Sequence, residues 1–247
     1  MDYFDKAETW DRATLETVQL ARLKTTIQQA SRAPFYAKRL AEAGVSADNL
    51  RSLEDIRRIP FTSKDDLRSQ YPYGLATVPH SEFVRMHCSS GTTGTPVAVC
   101  YTQPDINSWA DLMARCLYMA GVRKDDVFQN MSGYGLFTGG LGIHFGAERL
   151  GCMTIPAGAG NSKRQLKLVK DFGTTVAHIL PSYALHLGTT LIEEGEDPKA
   201  LSLRIACVGA EPYTEETRRR IEALFDMKVY NSYGLSEMNG PGVAFEC

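Results

Sequence analysis

Short runs of β-branched residues alternate with longer amphipathic stretches from Val84 to Tyr230. This order is typical of β-α units that feed a mainly parallel sheet, and it favours an α/β fold in which helices flank the sheet. The predicted strands are 127–131, 152–155, 175–180, 203–208 and 228–230. The predicted helices run from an N-cap at Asp105 to Gly121, from the end of a glycine-rich loop to Leu150, over 162–172, after Pro181, and over 214–225.

The N-terminal part of the chain has a different pattern. Apolar residues recur at helical spacing between Thr9 and Gly44, and the pattern is interrupted at Pro34, which predicts two consecutive helices. We therefore expect a helical N-terminal segment over 1–75 and an α/β core over 76–247. Because the chain ends at Cys247 without a helix cap or a charged tail, we expect this core to be incomplete.

Composition excludes several classes of partner. The 247 residues are 43% hydrophobic, which is enough for a large buried core. A formal charge of −2, from 27 basic and 29 acidic side chains, gives no electrostatic footprint for nucleic acid or an anionic membrane. No apolar stretch approaches the ~20 residues of a membrane span, and the N-terminus lacks an export signal. Six cysteines without paired spacing indicate a reducing cytoplasm.

The loop from Ser89 to Pro96 combines glycines with hydroxyl side chains and lies between two β-rich runs. Gly91 and Gly94 can adopt positive φ, which lets consecutive backbone N–H groups turn around an anion. Hydroxyl donors come from Ser89, Ser90, Thr92 and Thr93. The loop is not a Walker P-loop, because no Gly-Lys-Ser/Thr closes it. We predict that it binds the phosphate tail of a nucleotide, and the alternative is an ordinary hairpin turn.

Two further loops follow predicted strands, where ligands bind in open α/β sheets. The first consists of Gly209, Ala210, Glu211 and Pro212. Its small residues would let a flat ring lie against the backbone, although a simple strand-to-helix turn is the commoner explanation for this segment taken alone.

The second begins after Tyr230 with Asn231, Ser232, Tyr233 and Gly234 and reaches Glu237. Tyr233 could stack on a base and Glu237 could ligate a hard cation, against the alternative of a structural tyrosine and a solvated carboxylate.

The glycine-rich loop from Gly133 to Gly140 contains two aromatic residues, Tyr134 and Phe137. Aromatic residues on a bent loop, here with Gly139 beside them, can form the wall of an apolar pocket. Core packing beneath the loop is the alternative. His144 lies one helical turn beyond and could reach the same region, although a structural role is the commoner one for a single histidine.

Together these segments resemble the phenylacetate–CoA ligase family of the adenylate-forming superfamily. The resemblance extends from about Phe35 to Cys247 and depends on the order and spacing of its motifs. The matching segments are 55–64 (DIRRIPFTSK), 89–96 (SSGTTGTP), 133–142, 209–212 (GAEP) and 233–237 (YGLSE), followed by 240–243 (GPGV).

The resemblance implies a fold, a reaction and a set of roles. The fold would be a truncated adenylate-forming large domain, and the reaction would join an aryl acid to CoA at the expense of ATP, with Mg²⁺. Catalytic roles are implied for Thr92, Thr93 and Glu237, the last also as the Mg²⁺ ligand. Nucleotide-binding roles are implied for Ser89, Ser90, Gly91, Gly94, Gly209, Ala210, Glu211, Pro212, Asn231, Ser232, Tyr233 and Gly234. Tyr134, Phe137 and Gly139 would border the aryl pocket.

Two departures from the family pattern limit the comparison. No lysine follows the hydroxyl loop, so backbone, hydroxyls and metal would have to neutralise the phosphates. The ribose-binding aspartate and the lid domain with its catalytic lysine are expected beyond Cys247, so this chain should bind its ligands better than it catalyses. An alternative is a non-catalytic adenylate-binding or acyl-binding regulatory module. The identity of the aryl acid, a homodimeric state and a zinc site that includes Cys247 are left open.

Overall fold

The fold is given by a computed structural model that describes residues 3–89 and 96–246, without the side chains of 241–243. The chain divides into one unit formed by residues 5–103 and another formed by residues 3–4 and 104–246. The domain boundary expected near residue 75 stays a prediction. Within these described ranges, no helix combines the length and the apolar character that crossing a membrane would require.

The unit of residues 5–103 begins with helices and ends with a hairpin. Its elements are α1 Arg12–Ala30, α2 Pro34–Glu42, α3 Lys64–Ser69, β1 Phe83–Cys88 and β2 Ala98–Thr102. The two consecutive helices predicted between residues 9 and 44 are confirmed. Asp11 caps α1 by accepting from the Thr14 N–H at 2.8 Å, and Pro34 starts α2, where its missing N–H costs nothing. The helices enclose a small core of Ile27, Leu40, Val45 and Leu50.

The larger unit contains a six-stranded sheet flanked by helices, so the predicted fold class is confirmed. Its helices are α4 Gln103–Met119, α5 Thr138–Leu150, α6 Ser162–Phe172, α7 Pro181–Glu193 and α8 Glu215–Phe225. Its strands are β3 Val127–Asn130, β4 Met153–Ile155, β5 Val176–Ile179, β6 Ile205–Val208, β7 Lys228–Leu235 and β8 Gly240–Phe245. The strand order is β4-β3-β5-β6-β7-β8; β8 runs antiparallel to β7, and the other neighbours pair in parallel.

Three predicted boundaries were wrong by more than two residues. Helix α4 begins at Gln103, so Asp105 is not its N-cap but lies in its first turn, where a carboxylate also suits the helix dipole. Helix α5 begins at Thr138, inside the predicted glycine-rich loop. Strand β7 does not end at Tyr230 but continues to Leu235, because β6 pairs with its first half and β8 with its second.

Trp109 of α4 is the centre of a close contact among three elements. A Cβ at Gly142 of α5 would lie 2.2 Å from the Trp109 Cζ2 atom, and one at Gly240 of β8 would lie 2.1 Å from it. The indole is only 1% exposed. The glycines of α5 therefore permit tight helix packing, and this contact offsets their low intrinsic helix propensity.

At the amino ends of the strands, Asp126 joins three segments. Its carboxylate accepts from Thr175 Oγ1 at 2.7 Å, from the Arg123 N–H at 2.7 Å and from the Arg204 guanidinium, with Nε at 3.0 Å. Burial alone would raise the pKa of Asp126, but the hydrogen bonds from Arg204, Arg123 and Thr175 outweigh it and hold the pKa below its ordinary value. This cluster links the starts of β3, β5 and β6.

Candidate functional site

The carboxyl ends of the parallel strands form one edge of the sheet. The predicted segments 133–140 and 209–212 follow β3 and β6, whereas 231–234 lies in the second half of β7. The chain leaves β3 toward β4 on one side and returns to β5 on the other side of β3. This reversal is a topological switch point, where a crevice opens at the carboxyl ends of the strands. Asn130 ends β3 and Ile179 ends β5, so the crevice is expected beside these two residues.

One cavity at this edge collects residues that are distant in the sequence. It has a volume of about 530 Å³, within the range of small-molecule sites. All members of the two predicted nucleotide segments, 209–212 and 231–234, contribute to its lining. Four lining residues were missed by the sequence analysis, namely Tyr213, Thr214, Glu215 and Arg218. The only sequence signal for these four residues was their position, because they form the entry and first turn of α8, directly after the segment 209–212.

The first segment is held closely against β7. A Cβ at Gly209 would lie 2.8 Å from both the carbonyl oxygen and Oγ of Ser232, so only glycine fits there. Ala210 has φ +67°, a left-handed conformation that costs a residue with a Cβ about 1–2 kcal/mol. The glycine is therefore required by the close approach of strand ends, and the strained alanine turns the chain along the cavity.

Glu211 connects this segment to the start of α7. Its Oε1 accepts from the Ser182 backbone N–H at 2.6 Å, and its Oε2 accepts from the Ser182 hydroxyl at 3.0 Å. Ser182 lies in the first turn of α7, where unpaired N–H groups and the helix dipole favour a negative charge. Glu211 therefore acts as a cap for α7, and its proposed place beside adenine stays a prediction.

The E211Q variant tests this capping role. We expect the free energy of unfolding to fall by about 1 kcal/mol, because a neutral amide interacts less favourably with the helix N-terminus. Urea denaturation at pH 7 measures this change. The matched control is E193Q at the opposite end of α7, where losing the exposed charge should not destabilise the protein. Equal losses in both variants would contradict a capping role.

Arg218, which lines the cavity, belongs to a charged cluster. The Arg218 guanidinium lies 2.5 Å from the Glu246 carboxylate and 3.2 Å from Glu215, and Glu246 also accepts from the Asn231 N–H at 2.8 Å. The hydrogen bond that Arg218 donates to Glu246 raises the pKa of Arg218, so its charge is permanent. Burial alone would raise the pKa of Glu246, but the hydrogen bonds from Arg218 and Asn231 hold it below its ordinary value. Tyr233 is 60% exposed, and its ring is available to a ligand.

Glu237, the predicted metal ligand, lies in a short 3-10 turn, Ser236–Met238, directly after β7. It is not part of the described lining of the cavity. In the described part of the chain, no cluster of three or more His, Cys, Asp or Glu could hold a metal ion. Mg²⁺ in phosphate sites often has only one or two protein carboxylates and takes its other ligands from phosphate and water, so a single glutamate fits that chemistry.

A polar cluster occupies the switch point between β3 and β5. The Asn130 side chain donates to the Gly140 carbonyl at 2.7 Å and to Tyr134 Oη at 2.9 Å, and its Oδ1 lies 3.0 Å from His178 Nδ1. Burial lowers the pKa of His178 to about 4, so this imidazole is neutral at pH 7. Asn130 and His178 were not predicted from the sequence, in which the only signal for them is a polar residue near the carboxyl end of each strand.

The predicted aryl-pocket residues lie in the loop before α5 and in the first turn of that helix. Tyr134 is half-buried and hydrogen-bonded, Phe137 is 56% exposed at the N-cap position of α5, and Gly139 lies in the first turn of that helix. Helix α5 packs against β8, the strand that follows the Glu237 turn. The loop that carries Tyr134 and the turn that carries Glu237 therefore each precede one of two elements that pack together.

The hydroxyl loop is described only at its ends. The Ser89 N–H donates to the Val97 carbonyl at 2.9 Å, and the Val97 N–H donates to Ser89 Oγ at 2.9 Å, so these residues close the β1–β2 hairpin. The Ser89 hydroxyl keeps its own proton to donate. The remaining predicted phosphate-binding residues lie outside the described residues, as does Cys247; they are Ser90, Gly91, Thr92, Thr93 and Gly94.

Comparison with known sequences places this site in context. The family model for AMP-binding enzymes matches residues 13–246. A phenylacetate-coenzyme A ligase from Pseudomonas putida is 48% identical over 244 residues, which is 98% of this chain and 56% of that protein. One from Thermus thermophilus is 46% identical over 248 residues, 100% of this chain and 56% of that protein. The chain thus spans about half the length of the curated relatives it matches.

Two solved structures of a CoA ligase superpose on nearly the whole of this chain. A 2-hydroxyisobutyryl-CoA ligase in an open conformation, in complex with 2-HIB-AMP and CoA, superposes with a TM-score of 0.88 at 30% identity, over 96% of this chain and 54% of that chain. The thioesterification state of the same enzyme gives a TM-score of 0.87 at 32% identity, over 94% of this chain and 51% of that chain.

Proposed function

This chain belongs to the AMP-binding enzyme family, and from that premise we propose that it is the nucleotide- and acid-binding part of an aryl-acid–CoA ligase. The supporting observation is the cavity lined by residues 209–212 and 231–234 at the carboxyl edge of the sheet. Sequence identity of 48% to a phenylacetate-coenzyme A ligase supports the substrate class.

The proposed reaction has two steps, and both act on the carboxyl group of the acid. A carboxylate oxygen attacks the α-phosphate of ATP, which forms an acyl adenylate and releases pyrophosphate. The CoA thiol then attacks the acyl carbon, loses its proton and displaces AMP. Such chemistry depends mainly on positioning and on charge neutralisation rather than on covalent help from the protein.

Each predicted group has a defined task in this scheme. Ser89, Ser90, Thr92 and Thr93, with the N–H groups of Gly91 and Gly94, would donate hydrogen bonds to the β- and γ-phosphates. Tyr233 would stack on the adenine, against the backbone of 209–212. Mg²⁺, held by Glu237 and phosphate oxygens, would neutralise charge on the phosphates. Tyr134, Phe137 and Gly139 would enclose the aryl ring of the acid.

Threonine variants of the hydroxyl loop test the nucleotide site. We expect T92A and T93A each to weaken Mg·ATP binding at least tenfold, since a hydrogen bond to a charged group contributes about 1.5–3 kcal/mol. Isothermal titration of this chain measures the affinity. The control is T190A, which removes a hydroxyl that donates to the His186 carbonyl on α7, away from the loop in sequence.

Titration with phenylacetate distinguishes the ligase from a non-catalytic module. Heat from both Mg·ATP and phenylacetate supports the ligand assignment, and pyrophosphate release by the chain joined to its natural downstream sequence supports the ligase. Binding of both ligands without pyrophosphate release in that longer protein would favour the regulatory module. If neither Mg·ATP nor phenylacetate gives heat, both the ligase and the regulatory module are contradicted.

A cytoplasmic location and a homodimeric state are also proposed for this protein. Five cysteines lie in the described ranges and are joined by no disulfide there, which supports a reducing cytoplasm; they are Cys88, Cys100, Cys116, Cys152 and Cys207. Burial raises the pKa of Cys152 to about 11 and that of Cys207 to about 12, so neither forms a reactive thiolate at pH 7. A homodimer stays a prediction that sedimentation velocity would test.

A further inference from the structure

We propose that His144 is a positioning residue that binds the hydroxyl proton of Tyr134, so that the acid site presents the tyrosine ring and no free hydroxyl donor. The inference rests on the proposed function and deepens it, because it states how the acid site would favour an unsubstituted ring. It rests on the hydrogen bonds that connect Asn130, Tyr134, His144 and Glu148.

The orientation of the Asn130 amide is fixed by backbone groups. One backbone oxygen, the Gly140 carbonyl, lies 2.7 Å from Nδ2 and can only accept. One backbone nitrogen, the Ser132 N–H, lies 3.2 Å from Oδ1 and can only donate. Nδ2 and Oδ1 therefore cannot be exchanged, and the second proton of Nδ2 is donated to Tyr134 Oη at 2.9 Å.

The protonation of His144 is constrained from its other side. Its Nε2 lies 3.1 Å from Oε1 of the Glu148 carboxylate, which can only accept when ionised, so Nε2 carries a proton. In the neutral imidazole, Nδ1 is then an acceptor, and it lies 3.0 Å from Tyr134 Oη. Burial raises the pKa of Tyr134, so the phenol keeps its proton and donates it to Nδ1.

These two hydrogen bonds limit what Tyr134 offers to a ligand. The hydroxyl receives a hydrogen bond from Asn130 and gives its only proton to His144, whose ring meets the tyrosine edge to face, at 82° with centroids 5.7 Å apart. A ligand can therefore use the apolar ring of Tyr134 but finds no hydroxyl donor there. Removing the His144 acceptor would release that proton for a polar substituent on the acid.

His144 variants test the proposal through substrate preference. The probes are phenylacetate and 4-hydroxyphenylacetate, titrated into the chain in the presence of Mg·ATP. We expect H144L to reduce the preference for phenylacetate at least fivefold. H144N keeps an oxygen acceptor in place of Nδ1, so it should retain the preference within twofold. The control H186L removes an exposed histidine on α7 and should leave the preference unchanged.

Nitrogen-15 NMR of the ligand-free protein at pH 8 tests the series of hydrogen bonds separately. The proposal requires the tautomer of His144 protonated at Nε2, and Y134F should change its Nδ1 shift. A tautomer protonated at Nδ1, or an unchanged preference in folded H144L, would overturn the proposal. If the wild-type chain binds neither acid, the proposed function fails and the selectivity role is overturned with it, whereas the tautomer still reports the hydrogen bonds.

Discussion

Replacing Gly240 by alanine is expected to destabilise the protein by about 2–5 kcal/mol. The backbone φ of +87° contributes about 1–2 kcal/mol of strain for a residue with a Cβ. The new methyl group would lie 2.1 Å from Trp109 Cζ2, and overpacking of this kind costs about 1–3 kcal/mol. Urea denaturation, with an unchanged slope of free energy against denaturant, measures the loss.

A matched variant separates the two causes. Gly195 has a similar φ of +78° but nothing within 4 Å of its Cβ position, so G195A should show the backbone cost alone. In addition, the loss in the double variant G240A/W109F should be smaller than the sum of the two single losses, because the smaller ring leaves room for the methyl group. Equal losses in G240A and G195A would show that the contact with Trp109 is not tight.

The D126N substitution is expected to cost about 3 kcal/mol, the lower end of the range for breaking a buried ion pair. The Asp126 side chain is 7% exposed, and it compensates Arg204, which keeps some contact with water at 45% exposure. The asparagine would retain one acceptor for Thr175 but no charge for Arg204. Chemical denaturation of both proteins at pH 7 measures the difference, and D171N, in an exposed pair with Lys167, is the control.

The pH dependence gives a second test of Asp126. Its pKa is lowered in the folded protein, so its contribution to stability is complete above the unfolded value of about 3.9. The contribution is lost as pH falls through the folded value. The difference between wild type and D126N should therefore be constant from pH 8 to about 5 and shrink in more acidic solution. A difference that grows on acidification would contradict this assignment.

Local sequence signals were sufficient to predict an element where the residues that cap its two ends are its neighbours in the sequence. Helix α6 was predicted at 162–172 and occurs there because Asn161 accepts from the Arg164 N–H at 3.1 Å and Gly173 ends the helix at φ +62°. The alternation of strands and helices likewise predicted a parallel sheet. The segments 209–212 and 231–234 were predicted separately, and the structure brings them to one cavity.

Features that depend on distant partners were not predictable from the sequence. Residues 231–235 include asparagine and glycine, which are depleted in strands, and they are extended because Asn231 pairs with β6 and the residues after it pair with β8. The hydrogen bond between Asn130 and His178 joins residues 48 positions apart, and that between Arg218 and Glu246 joins residues 28 positions apart. Such pairs follow from the strand order, which no local pattern specifies.

The cap that Glu211 provides for α7 also determines how far the cavity can adapt. If residues 209–212 hold a base as proposed, a larger base that pushed them outward would have to break the two hydrogen bonds that Ser182, a residue 29 positions earlier, donates to Glu211, and so remove the cap of α7. The width of the cavity is thus set in part by a residue outside its lining. Engineering of the shape of this cavity should therefore vary Ser182 together with residues 209–212.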